Sequence, residues 1–383
     1  AAAEGRRLFG HTVPSELPNK FNMALRMPVG GAAIITPWNF PMAIPTWKIF
    51  PALVCGNTIV FKPASDTPET ATRLVEILAE AGVPEGVINI VHGGGSEVGM
   101  ALVEHTDIDL ISFTGSTDVG NKISEVASKT LKRVSLELGG KNAQIVMDDA
   151  RLDLALEGVL WGAFGTTGQR CTATSRLIVH EKVYDKFMSM LVESTKKLRL
   201  GDGLREGTDV GPLVNQGQVQ TVDDYVKVGI EEGARVLAGG RRANGDGLGK
   251  GWFYEPTILD GVRPMMRVAR EEIFGPVLSV IKVKVITEAI EVANGTKYGL
   301  SSAVYTQDLN KAFQAIRDIK AGITYINAPT IGAEAHMPFG GVKETGNGHR
   351  EGGWTVYEFF SEWKTIYVDY SGKLQRAQID TEG

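Results

Sequence analysis

The stretch Thr166-Thr167-Gly168-Gln169-Arg170-Cys171-Thr172 holds one of only two cysteines in the chain. A thiol on a loop carried by a rigid scaffold is a common arrangement for a nucleophile. The alternative for any single cysteine is a buried, inert side chain. Gly168 lets the backbone turn tightly or approach a ligand closely. A second chemistry is phosphate binding. Gly93-Gly94-Gly95-Ser96-Glu97-Val98-Gly99 and Phe113-Thr114-Gly115-Ser116 each follow a strand pattern and lead into a helical one, where free backbone amides favour a pyrophosphate. The first of these has one residue too many for G-x-G-x-x-G and no acidic residue plainly at the usual distance, so it reads equally as a dinucleotide site or as plain turns. Lys62-Pro63-Ala64-Ser65 ends a further strand and adds a lysine where a ribose or phosphate could sit.

These residues need a scaffold, and the hydrophobic periodicity supplies one. Strand patterns at 58–61, 87–91, 110–113 and 134–138 alternate with helical ones at 67–81, 96–104 and 117–128. That beat implies a parallel sheet covered by helices, with ligands bound outside the carboxyl ends of its strands. Residues 31–35 form a strand that leads into the stiff turn Thr36-Pro37-Trp38-Asn39-Phe40-Pro41, and 42–53 a buried helix. Asp66 is the expected cap of helix 67–81, with Pro68 at its first position and Gly82 past its end. Beyond Gly139 the pattern stays α/β. Strands are expected at 142–147, 175–179, 235–237, 277–283 and 302–305. Helices are expected at 152–164, 183–197, 219–232, 286–293 and 309–319. The cysteine stretch is thus a loop between helix 152–164 and strand 175–179. Residues 238–252 read as a mobile glycine-rich loop. Residues 327–351 form a loop too long for idle linkage. An extended arm at 7–28 and an edge strand at 363–368 flank this body, and the last polar residues, 371–383, read as a loose tail.

Bulk properties narrow the function. The 383 residues allow two or three domains with buried cores. A net charge of −5 argues against a nucleic-acid partner. Two cysteines make no disulfide framework and suit a reducing, cytoplasmic setting. No apolar run approaches the roughly 20 residues of a membrane helix, and no His/Cys/Asp spacing suggests a metal site.

Six motifs standing in order carry a resemblance. They are Thr36-Pro37-Trp38-Asn39-Phe40-Pro41, Phe113-Thr114-Gly115-Ser116, Glu137-Leu138-Gly139-Gly140-Lys141, Gly168-Gln169-Arg170-Cys171-Thr172, Glu272-Ile273-Phe274-Gly275-Pro276-Val277 and Pro338-Phe339-Gly340-Gly341. Over essentially its whole length the chain resembles the aldehyde dehydrogenase superfamily. The resemblance implies a Rossmann-like cofactor domain at 29–138 and an α/β catalytic domain at 139–355. It also implies oligomerisation strands at 10–28 and 361–370. Family members carry about a hundred further residues ahead of the position of His11. The cofactor domain is therefore expected to lack its first part, and its sheet some covering helices.

The resemblance also assigns roles. Cys171 is the nucleophile, Asn39 with the Cys171 amide the oxyanion holder, and Glu137 the base that activates the hydrolytic water. Thr36, Trp38, Lys62, Ser65, Gly95, Gly99, Gly115, Ser116, Leu138, Glu272 and Phe274 surround an NAD or NADP. Ser65 stands where many NAD-preferring members place a glutamate, so a 2′-phosphate is not repelled and NADP is the expected preference. Phe40, Trp47, Gly165, Arg170 and Thr172 match the positions that line the aldehyde tunnel. Arg170 could clamp a substrate carboxylate or pair with an acid of the protein; the former points to a succinic or 2-oxoglutaric semialdehyde. A homodimer or homotetramer is expected. Three rival readings are a cysteine hydrolase, a coenzyme-A-acylating relative and a non-catalytic descendant. The first needs a partner histidine in a recognisable motif and the second generally lacks the base, while intact Cys171, Glu137 and Asn39 weigh against the third.

Overall fold

The computed structural model describes residues 3–245 and 247–376. Its first large sheet has five parallel strands in the spatial order Ile88–Ile90, Thr58–Lys62, Gly31–Ile35, Leu110–Thr114, Arg133–Glu137. Strand Gly31–Ile35 shows why it sits at the centre. Ala32 and Ile34 pack into the core on one face, Ala33 and Ile35 into the core on the other, so its apolar run is continuous rather than alternating. Helices Ala43–Val54, Pro68–Glu80 and Val356–Phe360 contribute to the first core, and helices Met100–Glu104 and Thr117–Ser128 to the second. Both faces of the sheet are therefore covered.

The chain runs outward from Gly31–Ile35 in one direction and then returns to lay Leu110–Thr114 on its other side. This is the doubly wound, Rossmann-like arrangement, and its crevice opens where the strand order reverses. The turn after Ile35 and the turn after Thr114 stand side by side there.

A second sheet has seven strands in the order Arg235–Ala238, Thr257–Asp260, Val277–Val283, Thr174–His180, Asn142–Val146, Ser301–Tyr305, Ile323–Ile326. All neighbours are parallel except the first pair. Residues 138–141 connect the last strand of the first sheet to strand Asn142–Val146 of the second, next to its central strand Thr174–His180. The carboxyl edge of one sheet thus meets the amino edge of the other. A third sheet pairs His11–Pro14, Lys20–Pro28 and Ser361–Asp369 antiparallel, with Ser361 opposite Pro28 and Asp369 opposite Lys20. The expected arm and edge strand are thus partners within one chain, and the outer edge of Ser361–Asp369 stays unpaired among the described residues.

Several local expectations are corrected. Thr67, not Asp66, takes the cap position of helix Pro68–Glu80, and its side chain makes no capping hydrogen bond. Asp66 instead accepts from Asn215 Nδ2 at 3.2 Å. The segment expected as helix 96–104 begins as a wide π turn, Gly95–Gly99, before the α-helix Met100–Glu104. Strands Thr257–Asp260 and Ile323–Ile326 and the short helices Arg267–Arg270 and Val356–Phe360 were not expected. Each is four or five residues long, too short to show a period. Part of loop 238–252 is stitched by an Arg242–Tyr254 bridge. Asp246 and residues 377–383 of the expected tail lie outside the described residues. Among the described residues no helix is long and apolar enough to cross a membrane, and no cluster of His, Cys, Asp or Glu could hold a metal ion.

Candidate active site

Strand Arg133–Glu137 delivers Glu137 to the junction between the two large sheets. Its side chain is 3% exposed, and neither carboxylate oxygen has a hydrogen-bond partner among the described residues. Burial first, then the nearby Glu351 carboxylate, pushes its carboxyl well above the ordinary range, while Lys48 and Arg350 pull the other way. Lys48 comes from helix Ala43–Val54 and is fully buried; it donates to Ser112 Oγ at 3.0 Å and forms an ion pair with Glu351. A buried carboxyl with free oxygens and a raised pKa can accept a proton from water near neutrality.

The residues after Glu137 fasten the thiol. Asn142 opens the next strand, and its Nδ2 donates to Cys171 O at 2.7 Å and Ala173 O at 2.9 Å, while its Oδ1 accepts from Ser301 N at 3.0 Å. Gly140 must be glycine here, because a Cβ would lie 2.3 Å from Cys171 O. The loop leading to Cys171 is strained. Thr166, Thr167 and Gly168 have φ of 57°, 58° and 66°, a conformation β-branched residues avoid. Gly168 passes so close to Gly275 O that a Cβ would lie 2.2 Å away. Asn39 Nδ2 donates to Gln169 O at 3.1 Å, which ties the turn after Gly31–Ile35 to the same loop; its Oδ1 is buried and unpartnered among the described residues. Burial, then the carboxylates Glu272 and Glu137, pushes the Cys171 thiol up to about 12, and the Thr172 amide opposes them. The other cysteine, Cys55, is buried in the core of the first sheet.

Two cavities meet at Cys171. One, of about 260 Å³, is lined by Phe40, Trp47, Glu137, Arg170, Cys171, Thr172 and Phe339 among others. The second, of about 240 Å³, has Trp38, Asn39, Gly115, Ser116, Leu138, Cys171, Glu272 and Phe274 in its wall. Thr114 and Leu138 line both. A larger hollow, of about 550 Å³, lies elsewhere, beside residues 195–200 and 238–256, and no cysteine or histidine lines it. Size alone does not locate this site.

The remaining expected cofactor residues form a neighbouring group. Thr36 is buried and its amide donates to Lys62 O at 3.2 Å. Lys62 is buried with Nζ donating to Pro63 O at 2.8 Å, Ser65 Oγ reaches Gly93 O at 3.4 Å, and Gly99 packs on the Lys62 stem. Around Gly94 and Gly95 no atom would meet an added Cβ within 4 Å. This group stands at the carboxyl ends of strands Gly31–Ile35, Thr58–Lys62 and Ile88–Ile90, next to the switch point. Gly165 is not in either cavity wall; it lies under Trp161, whose ring would be 2.8 Å from a Cβ there.

The chain fits a dinucleotide on its own geometry. Ser116 caps helix Thr117–Ser128 at the switch point, its Oγ accepting from Val119 N, so that helix start is set to receive a phosphate. A buried Thr114 Oγ1 is unpartnered among the described residues. Glu272 Oε1 accepts from Gly140 N at 2.8 Å, and burial raises its carboxyl to about 7; an acid there suits ribose hydroxyls. Motif reading does not single out Lys48, Ser112, Glu351, Asn142 and Trp161, and it names Thr166 only as part of the cysteine stretch. A lysine inside an apolar helix was the one available signal, at Lys48.

A strained cysteine loop and a buried carboxyl at the mouth of a Rossmann crevice fit the site of a dinucleotide-dependent oxidoreductase. The chain belongs to the aldehyde dehydrogenase family, whose family model matches residues 1–366. It is 43% identical over 367 residues to alpha-ketoglutaric semialdehyde dehydrogenase of Bacillus subtilis, covering 96% of this chain and 75% of that protein. Among solved structures, betaine aldehyde dehydrogenase from Staphylococcus aureus in complex with NAD+ superposes with a TM-score of 0.92 at 38% identity, over 95% of this chain and 72% of that one. An NADP-dependent enzyme of E. coli superposes at 0.91 with 40% identity, over 96% and 75% of the two chains.

Proposed function

We propose that this chain oxidises an acidic semialdehyde to the dicarboxylate, with Cys171 as nucleophile, Asn39 as oxyanion holder and Glu137 as base. The observation that carries the reading is the meeting of two cavities at one sulfur, with an unpartnered, buried carboxyl in the wall of one of them. The Cys171 thiolate adds to the aldehyde carbon. The oxygen that becomes negative is held by the second amide hydrogen of Asn39 and the Cys171 backbone N–H. A bound NAD or NADP supplies the hydride acceptor, which leaves a thioester on Cys171. Glu137 then takes a proton from water, which attacks the thioester and releases the acid. Residues 29–138 form the cofactor domain, which also lends Asn39 and Glu137 to the chemistry, and 139–355 the catalytic domain, which carries Cys171 and lends Glu272 and Phe274 to the cofactor. Trp38, Gly115, Ser116, Leu138, Glu272 and Phe274 surround the nicotinamide half, and Thr36, Lys62, Ser65, Gly95 and Gly99 the adenosine half.

The substrate assignment rests on Arg170. It lines the first cavity, and among the described residues it has no ion-pair partner, so its charge is available to a substrate carboxylate. Phe40, Trp47 and Thr172 bound the rest of that path. On the cofactor side NADP is accepted. Ser65 offers no repelling carboxylate, and Asp66, the one acid beside it, is drawn toward Asn215. The reaction needs Cys171 reduced, which fits work in the cytoplasm, and the chain works as a homodimer or homotetramer. The test is an absorbance assay of cofactor reduction with succinic semialdehyde and butanal, each with NAD and with NADP. The expected result is higher kcat/KM for the semialdehyde, turnover with NADP, and none in Cys171→Ala. Equal efficiency on both aldehydes, or strict NAD dependence, would overturn the corresponding part.

A further inference from the structure

Arg170 is held by neighbours that take no part in the thiol chemistry. Its guanidinium lies 5.3 Å from the centre of the Trp161 ring and 5.1 Å from that of Phe40. Its Nε donates to Thr166 Oγ1 at 2.7 Å. Among the described residues neither terminal nitrogen has a hydrogen-bond partner. Those two nitrogens are one half of the fork a carboxylate accepts bidentately.

Two local features serve this arrangement. Gly165 has no side chain, and the Trp161 ring occupies the space a Cβ would need, 2.8 Å away. Thr166 sits at φ 57°, ψ 26°, where a threonine is disfavoured. Backbone strain persists where surrounding contacts over-determine it, and the bond from Arg170 to the Thr166 hydroxyl is such a contact. A guanidinium between two aromatic rings, with Nε tethered, is fixed before any ligand arrives, so less side-chain freedom is lost on binding.

We propose that Trp161, Phe40 and Thr166 form a socket that presents Arg170 to the carboxylate of an acidic semialdehyde, with Trp161 and Thr166 as specificity-determining positioning residues. This rests on the reading of Arg170 given above. The socket acts on the far end of the substrate and leaves the aldehyde end to Cys171 and Asn39.

The test compares KM and kcat for succinic semialdehyde and butanal in Thr166→Val, Thr166→Ser, Trp161→Leu, Trp161→Phe and Arg170→Ala. Losing the tether or the ring raises KM for the semialdehyde about tenfold while kcat and the butanal constants stay within about twofold. Thr166→Ser and Trp161→Phe, which restore the hydroxyl and the ring, return the semialdehyde KM toward its original value. Equal KM changes on both aldehydes, or failure of both conservative variants to restore it, overturn the proposal. If Arg170→Ala abolishes the preference for the acid while Thr166→Val and Trp161→Leu keep it, the socket fails and the reading of Arg170 stands. If Arg170→Ala keeps the preference, that reading fails and the socket falls with it.

Discussion

Glu137 and Cys171 share a problem of charge. Each is buried, burial raises the pKa of each, and an ionised Glu137 adds to the rise at Cys171. The raised Glu137 carboxyl is protonated at low pH and cannot take a proton from water there. Hydrolysis of the thioester therefore speeds up as pH rises through that value, and Glu137→Gln removes the dependence. Steady-state turnover of Glu137→Gln falls about 10²–10⁴-fold, while the first equivalent of reduced cofactor still forms. Rapid-mixing absorbance over a pH series checks both, and a variant with undiminished turnover refutes the assignment. Cys171, Glu137 and Asn39 were legible because each lies inside a compact motif. Lys48 and Glu351 were not, because they are 303 positions apart, and no local spacing encodes such a meeting. Asp66 misled for a related reason. A cap residue was read from its neighbours, but Asn215, 149 positions away, claims its side chain.

Helix Ala43–Val54 and the long loop at 327–355 are joined by the Lys48–Glu351 pair beneath the site. Both partners are nearly inaccessible, so removing one leaves a buried charge. Lys48→Met is expected to cost about 3–5 kcal/mol of stability, and Lys48→Met with Glu351→Leu less than the single change. Urea unfolding of the parent chain, Lys48→Met, Glu351→Leu and the double variant measures this, and a double variant as unstable as the sum of the two single ones would show the pair to be uncoupled. At this scale the sequence revealed elements with a long period and hid brief ones. Helix Glu181–Thr195 was visible because several turns repeat, and strand Val277–Val283 because its seven residues make a long, mostly apolar run. Strand Thr257–Asp260 has four residues, all buried, so no polar position alternates to mark it. The π turn Gly95–Gly99 was read as the start of a helix, because its residues permit either winding.

The three-stranded sheet leaves Phe21, Leu25, Met27 and Trp363 each at least a third exposed, beside the open edge of Ser361–Asp369. Exposed apolar side chains on a sheet that ends in an unpaired edge are what a second copy would cover. Sedimentation at equilibrium is expected to give a dimer or tetramer, and Leu25→Asp a smaller species with unchanged circular dichroism; a monomeric parent chain would refute this. The α/β class and the parallel sheet were readable from alternating patterns and placed the glycine-rich turns at strand ends. The spatial order of the strands was not, since periodicity tells which face a residue takes and not which strand lies beside it. The switch point, and the reason Trp38 and Ser116 share a wall, belong to that order.

Between Glu137 and the amide of Asn142 that grips Cys171 O there are only four intervening residues, two of them glycine. The acid and the sulfur are therefore spaced by a short run of covalent bonds and one clamp, not by the way two large bodies happen to close. Flexing elsewhere can widen or narrow the routes by which molecules enter. The gap between acid and sulfur is spliced into the joint itself.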